Sequence, residues 1–255
     1  MKRILLTIAY DGTNYCGWQK QKMPMVPTVE AEVEKASQRL FQDSSLECIG
    51  ASRTDTGVHA LGQRAVLDVT TTIPTEKIPL AIRGYLPKDI VVTKAEEVPM
   101  EFHPRYDCVK KTYQYRILNT EYQNPLLRNY TEWIAKKLDI LSMNQAAKHL
   151  IGTHDFKAFC AAGSSTKTTV RTIFECSVIK NGEEVLILVT GDGFLYNMVR
   201  IIAGTLIDVG KGKLSPEDIP SILAGRDRTK AGKTAGAQGL TLMRIYYDSS
   251  RNSLT

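Results

Sequence analysis

The stretch RTIFECSVIKNGEEVLILVTG, residues 171–191, decides the fold class. Two runs rich in β-branched residues flank Asn181-Gly182, a dipeptide suited to the positive φ angles of a tight hairpin turn. An antiparallel hairpin is expected here. Toward the C-terminus, FLYNMVRIIAGTLIDVG (194–210) puts Phe194, Met198, Ile201 or Ile202, and Thr205 or Leu206 at helical spacing. Ser215-Pro216-Glu217-Asp218 reads as a helix start, with cap, proline and acids in the first turn. GLTLMRIYYD (239–248) reads as a closing strand. Toward the N-terminus, VKKTYQYRIL (109–118) alternates, placing Tyr113, Tyr115 and Ile117 on one face and Lys110, Thr112 and Arg116 on the other. Ser142 to Gln145 predicts a capping box, opening a helix that Gly152 ends.

The first hundred residues show the same mixture. KRILLTIAY (2–10) alternates as a strand, and Thr28 can cap a helix that buries Val29, Val33, Ala36 and Leu40. Strands around 46–51 and 63–70, a short helix near 76–85 and a strand near 89–97 follow. Hairpin-type neighbours outnumber β-helix-β crossovers. The class is α+β with a largely antiparallel sheet, in two halves, 1–105 and 106–255, joined near 99–108.

At 255 residues with 43% hydrophobic and 24% charged side chains, the chain can bury a real core. Its longest apolar runs fall far short of the ~20 residues a membrane helix needs. Five scattered cysteines without a CxxC pair suit reduced thiols in a cytoplasm, and the four histidines show no metal-ligand spacing with them. A net charge of +6 leans toward polyanionic partners. No GxxxxGK[ST] phosphate loop is present, and Gly191 and Gly193 lack the rest of a dinucleotide fingerprint.

ASRTDTGVHA (51–60) concentrates the polar chemistry. Asp55 and Gly57 suit a turn, but that does not account for Arg53. An Asp55 carboxylate kept ionised by a guanidinium can act as nucleophile or base, or can simply be a solvated turn residue. An aspartic protease needs two such carboxylates sharing a proton; Asp-Thr-Gly occurs once, beside a cation. Tyr113 and Tyr115 suit either packing or stacking on an extruded base. Arg200, on an apolar helix, either reaches solvent or pairs with an acid. The basic segment GRDRTKAGKT (225–234) is a candidate phosphate-tracking loop.

Together, YDGTNYCGWQKQ (10–21), RTDTGVHA (53–60), KTYQYRI (111–117), GTHDFKAF (152–159), VRTI (170–173), GDGFLYNMVRIIAGTL (191–206) and GLTL (239–242) resemble the TruA family of tRNA pseudouridine synthases, in the family's order. The resemblance implies two ferredoxin-like halves forming a continuous sheet flanked by helices, and a cytoplasmic homodimer acting on uridines 38, 39 and 40 of tRNA. It implies Asp55 as nucleophile, Arg53 filling the space of a flipped nucleotide, Tyr113 stacking on the uracil, Arg200 pairing with Asp55, and Arg171 near the site. The isomerisation oxidises nothing and imports no group, so neither metal nor cofactor is expected. A silent RNA-binding module is the rival reading, and it has no need of Asp55. Ser52, Ala235-Gly236-Ala237 and Thr241 depart from the family's usual residues.

Overall fold

The computed structural model describes residues 1–21, 26–163 and 166–248. It divides into two compact units. The first comprises residues 1–109 together with the chain from Leu242 onward, and the second runs from Lys110 to Thr241.

In the first unit, β1 (Lys2–Tyr10) is the middle of an antiparallel group, with β3 (His59–Val69) on one side and β4 (Ile90–Val98) on the other. The short β2 (Ile49–Gly50) pairs with β3, which also neighbours the last strand, β10 (Leu240–Tyr247). Ile4, Leu6 and Ile8 alternate with less buried residues along β1, and Leu5 turns the other way to join Val66, Val98 and Phe102 in a core capped by Tyr247. The long hydrocarbon side chains on both faces of β1 make it the centre of the unit. Helix α1 (Val29–Phe41) buries Val29, Val33 and Ala36 as its spacing predicts, whereas Leu40, in its last turn, is only half-buried. Thr28 holds the cap position, but its side chain makes no capping bond: Oγ1 is buried without a partner. Helix α2 (Ile78–Ile82), flanked by 3-10 turns, precedes β4.

In the second unit, β5 (Cys108–Leu118), β9 (Glu184–Gly191), β8 (Val170–Asn181) and β7 (Gly152–Asp155) pair antiparallel in that order. The two-residue β6 (Glu132–Trp133) adds a parallel pairing to β5. The decisive hairpin forms, displaced by one residue. Asn181 pairs with Glu184, so Gly182-Glu183 is the turn and Gly182 takes φ +60. Helix α3 (Ile140–Lys148) starts earlier than the Ser142 reading, because Asp139 wins the cap: its carboxylate accepts from Ser142 N–H at 3.2 Å and Ser142 Oγ at 2.7 Å. Gly152 opens β7 rather than ending the helix. Helix α4 (Met198–Gly210) is buried on almost every side, and α5 (Asp218–Gly225) follows. The α+β class with mostly antiparallel pairing holds in both units.

Candidate active site

The loop bearing Arg53 and Asp55 links β2 to β3, and the YDGTNYCGW segment fixes its backbone. Trp18 N–H donates to Thr54 O at 3.1 Å, and Gly57 N–H donates to Tyr15 O at 3.3 Å. The Tyr10 and Thr54 hydroxyls are bonded at 2.7 Å in a buried position. Val58 N–H closes the turn on Asp55 O at 3.1 Å. Gly17 sits at φ +81, where any side chain would overlap Thr54 O and press within 3.1 Å of the Asp55 carbonyl carbon. Only glycine fits there. Gly12 N–H donates to His59 Nδ1 at 3.0 Å, and Asp11 Oδ1 lies 3.1 Å from the same nitrogen. Tyr15 donates its hydroxyl proton to Asp89 at 2.6 Å; burial, with that carboxylate, pushes the phenol's pKa above its usual range.

Gln63 completes the clamp from β3. Its side chain is fully buried, accepting from Ser52 N–H at 3.2 Å and donating to Ser52 O at 2.6 Å. A side-chain amide thus stands in for a strand rung next to Arg53. Arg53 itself is exposed and Asp55 is half-buried. Sequence reading missed Gln63 and Asp11 as parts of the site and gave His59, in the same loop, no role. Their only signal was polar side chains within or beside otherwise apolar strands.

Within the second unit, the segment 193–197 gathers the three other candidates. Tyr113, on β5, is buried with its ring edge-on to Phe194 at 5.2 Å. Arg171, on β8, donates to Thr168 O at 3.0 Å and Val170 O at 2.6 Å, and a Cβ on Gly193 would lie 3.4 Å from its Nε. Arg200, in the first turn of α4, donates from Nη1 to Asn197 Oδ1 at 2.9 Å and from Nε to Ala235 O at 2.8 Å. Tyr115, by contrast, is a packing residue, fully buried with its hydroxyl on Gly236 O at 2.8 Å. Two arginines of the basic segment after α5 are engaged within the second unit. Arg226 pairs with Asp155 at 3.0 Å, and Arg228 donates to Gly232 O at 2.9 Å and Thr234 Oγ1 at 3.1 Å. Lys230 and Lys233 stay exposed. Among the described residues no group of three His, Cys, Asp or Glu side chains could hold a metal, and no helix is long and apolar enough to cross a membrane.

Comparison with known proteins gives the same family twice. The family model described as tRNA pseudouridine synthase matches residues 6–107 and 146–248. A tRNA pseudouridine synthase A 2 of Clostridium tetani is 51% identical, covering 97% of this chain and 99% of that one. Proteins called tRNA pseudouridine synthase A from Clostridium acetobutylicum and Ruminiclostridium cellulolyticum are 47% and 49% identical, each over 97% of this chain and 100% of their own. The loop that carries Asp55 and the residues Arg171 and Arg200 lie in the matched regions, with Tyr113 between them, and the chain belongs to the TruA family of tRNA pseudouridine synthases.

Proposed function

We propose that this chain converts uridine to pseudouridine at positions 38, 39 or 40 of the tRNA anticodon arm, with Asp55 as the nucleophile and the target base flipped out of the stack. The N1–C1′ bond breaks, the base turns, and C5 joins C1′; C5 gives up its proton and N1 gains one. The Asp55 carboxylate serves this by attack at C1′, by attack at C6, or by assisting elimination at the sugar. Extruding a base costs a few kcal/mol. Arg53, exposed beside Asp55, offsets part of that cost by filling the vacated space in the RNA, and Tyr113 offers its ring to the uracil. Arg171 and Arg200 serve as further substrate-binding residues, and Arg200 as the partner that keeps Asp55 ionised. The protein acts as a cytoplasmic homodimer; all five of its thiols are free, which suits that compartment.

One observation carries the reading. A half-buried carboxylate sits on a loop whose preceding residues are fixed by two buried contacts, Tyr10 to Thr54 and Gln63 to Ser52. A simple surface turn needs no such fixing, whereas a reacting group must be held in near-attack geometry. Asp55→Asn is expected to leave tRNA binding within about threefold of wild type and to abolish tritium release from tRNA labelled at uridine C5. A variant that still releases tritium at the wild-type rate removes Asp55 from the chemistry and favours the silent RNA-binding module.

A further inference from the structure

Two arginines of the first unit are held by carboxylates. Arg3 is held by Asp68 through two bonds of 2.7 and 2.6 Å, and Arg64 by Glu96 at 2.8 Å. Arg53 and Arg105 differ. Among the described residues neither guanidinium has a carboxylate within ion-pairing distance, although Arg105 is partly buried. The Glu30 carboxylate, which acts on Arg105 through space, is already bonded to Trp18 Nε1 at 3.1 Å and Lys20 N–H at 2.8 Å. Burial, with Arg53 close enough to repel, depresses the Arg105 pKa. A partly buried guanidinium with no carboxylate bonded to it is unfavourable unless a ligand supplies the anion.

The turn that presents Arg105 is firmly built. Phe102 is buried in the core, edge-on to Tyr247 at 4.9 Å, and Arg3 Nη1 donates to its carbonyl at 2.9 Å. Tyr247 Oη donates to Pro104 O at 2.9 Å. His103 Nδ1 accepts the N–H of Arg105 at 3.2 Å, and Asp107 Oδ2 accepts His103 N–H at 2.7 Å. The Tyr106 ring, 78% exposed, lies 4.2 Å from that of His103. Ordering such a turn costs nothing further when a ligand arrives. An exposed aromatic face next to cations is also the composition of a nucleic-acid contact.

We propose that Arg105 and Arg53 together bind one RNA phosphodiester beside the target uridine, on the rigid turn at 102–107. This rests on the uridine isomerase reading above, since Arg53 stands two residues before Asp55 and so ties the phosphate to the nucleotide being processed or its neighbour. Arg105 is a binding residue that acts on the RNA backbone and carries no base preference.

The test pairs Arg105→Met and Arg105→Lys with tRNAs in which single phosphodiesters flanking the target uridine are replaced by neutral methylphosphonates. Arg105→Met should weaken tRNA binding about tenfold and lower the slope of log K against log salt by about 0.7 to 0.9. Its melting temperature should not fall, because an unpaired charge is removed rather than a bond. Arg105→Lys should recover part of the loss. One methylphosphonate position should weaken the wild type clearly more than it weakens Arg105→Met, the remainder in the variant being the share of Arg53. Unchanged affinity and salt slope in Arg105→Met overturn the proposal. A lowered melting temperature with additive effects at every methylphosphonate position also overturns it, as that would mark a structural residue. Failure of the wild type to release tritium instead sinks the isomerase reading, while the methylphosphonate arms still report on the phosphate site.

Discussion

At the scale of single residues, Gln63 shows how a buried polar side chain can hold a reactive loop. Its carbonyl oxygen accepts and its amide donates, so Ser52 has both backbone groups satisfied where strand pairing has ended. Removing either partner would leave a buried polar group unmet, at about 1 to 3 kcal/mol. Gln63→Glu separates this from mere packing. A neutral carboxylic acid can reproduce both bonds, whereas a carboxylate turns an acceptor toward Ser52 O. At a fully buried position the introduced acid has its pKa raised above the unfolded value of ~4.3. The variant's stability is therefore complete at low pH and is lost as pH rises through the folded value. Pseudouridine formation by Gln63→Glu should approach wild type near pH 5.5 and fall at least about tenfold by pH 8, while the wild-type profile stays flat or rises. Parallel profiles for the two proteins would show that the amide's donor is idle.

Among elements, α4 and the segment after α5 meet backbone to backbone. A side chain on Gly204 would overlap Lys233 O, and Thr205 Oγ1 receives the Gly232 N–H at 2.9 Å. The same segment accepts Arg200 Nε through Ala235 O. Gly204→Ala should therefore push residues 232–235 off the helix, lower the melting temperature through about 1 to 3 kcal/mol of overpacking, and reduce turnover by moving Arg200. A variant with wild-type melting and turnover would mean that the segment yields without cost. Elements of this kind were legible in the sequence wherever one period ran unbroken, as in β1, β5, α1 and the 171–191 hairpin. Boundaries were less so. Asp139 outcompetes Ser142 as a cap because its carboxylate bonds both the Ser142 N–H and hydroxyl, and the hairpin turn moved by one because Asn181 stays in the ladder. Asp55 stood out through a run of motifs in order. Gln63 and Arg105 did not, because their roles depend on partners such as Ser52 and Tyr247 that only folding brings near.

For the molecule as a whole, the first unit is closed by the last strand: the chain departs at Val109 and returns at Leu242, where Met243 and Arg244 run against Gly62 of β3. Tyr247 then seals the core beneath the Arg105 turn, whereas residues 10–18 fix the loop that carries Asp55. Charge is distributed to match. The internal pairs of Arg3 with Asp68, Arg64 with Glu96 and Arg116 with Glu184 are neutral, so the net +6 is carried by the remaining side chains, among them the exposed Lys230, Lys233 and Arg53. Screening should weaken the exposed group and spare the internal pairs. Affinity for tRNA is thus expected to fall with salt at a slope of about −3 to −4, equivalent to roughly four phosphates neutralised, with the melting temperature nearly constant over the same range. Filter-binding or fluorescence titrations from 50 to 300 mM salt, run beside thermal melts, measure both quantities. A slope shallower than about −1 would mean that the protein grips its RNA chiefly by shape and stacking rather than through phosphate, and would count against the Arg53–Arg105 site before any variant was made.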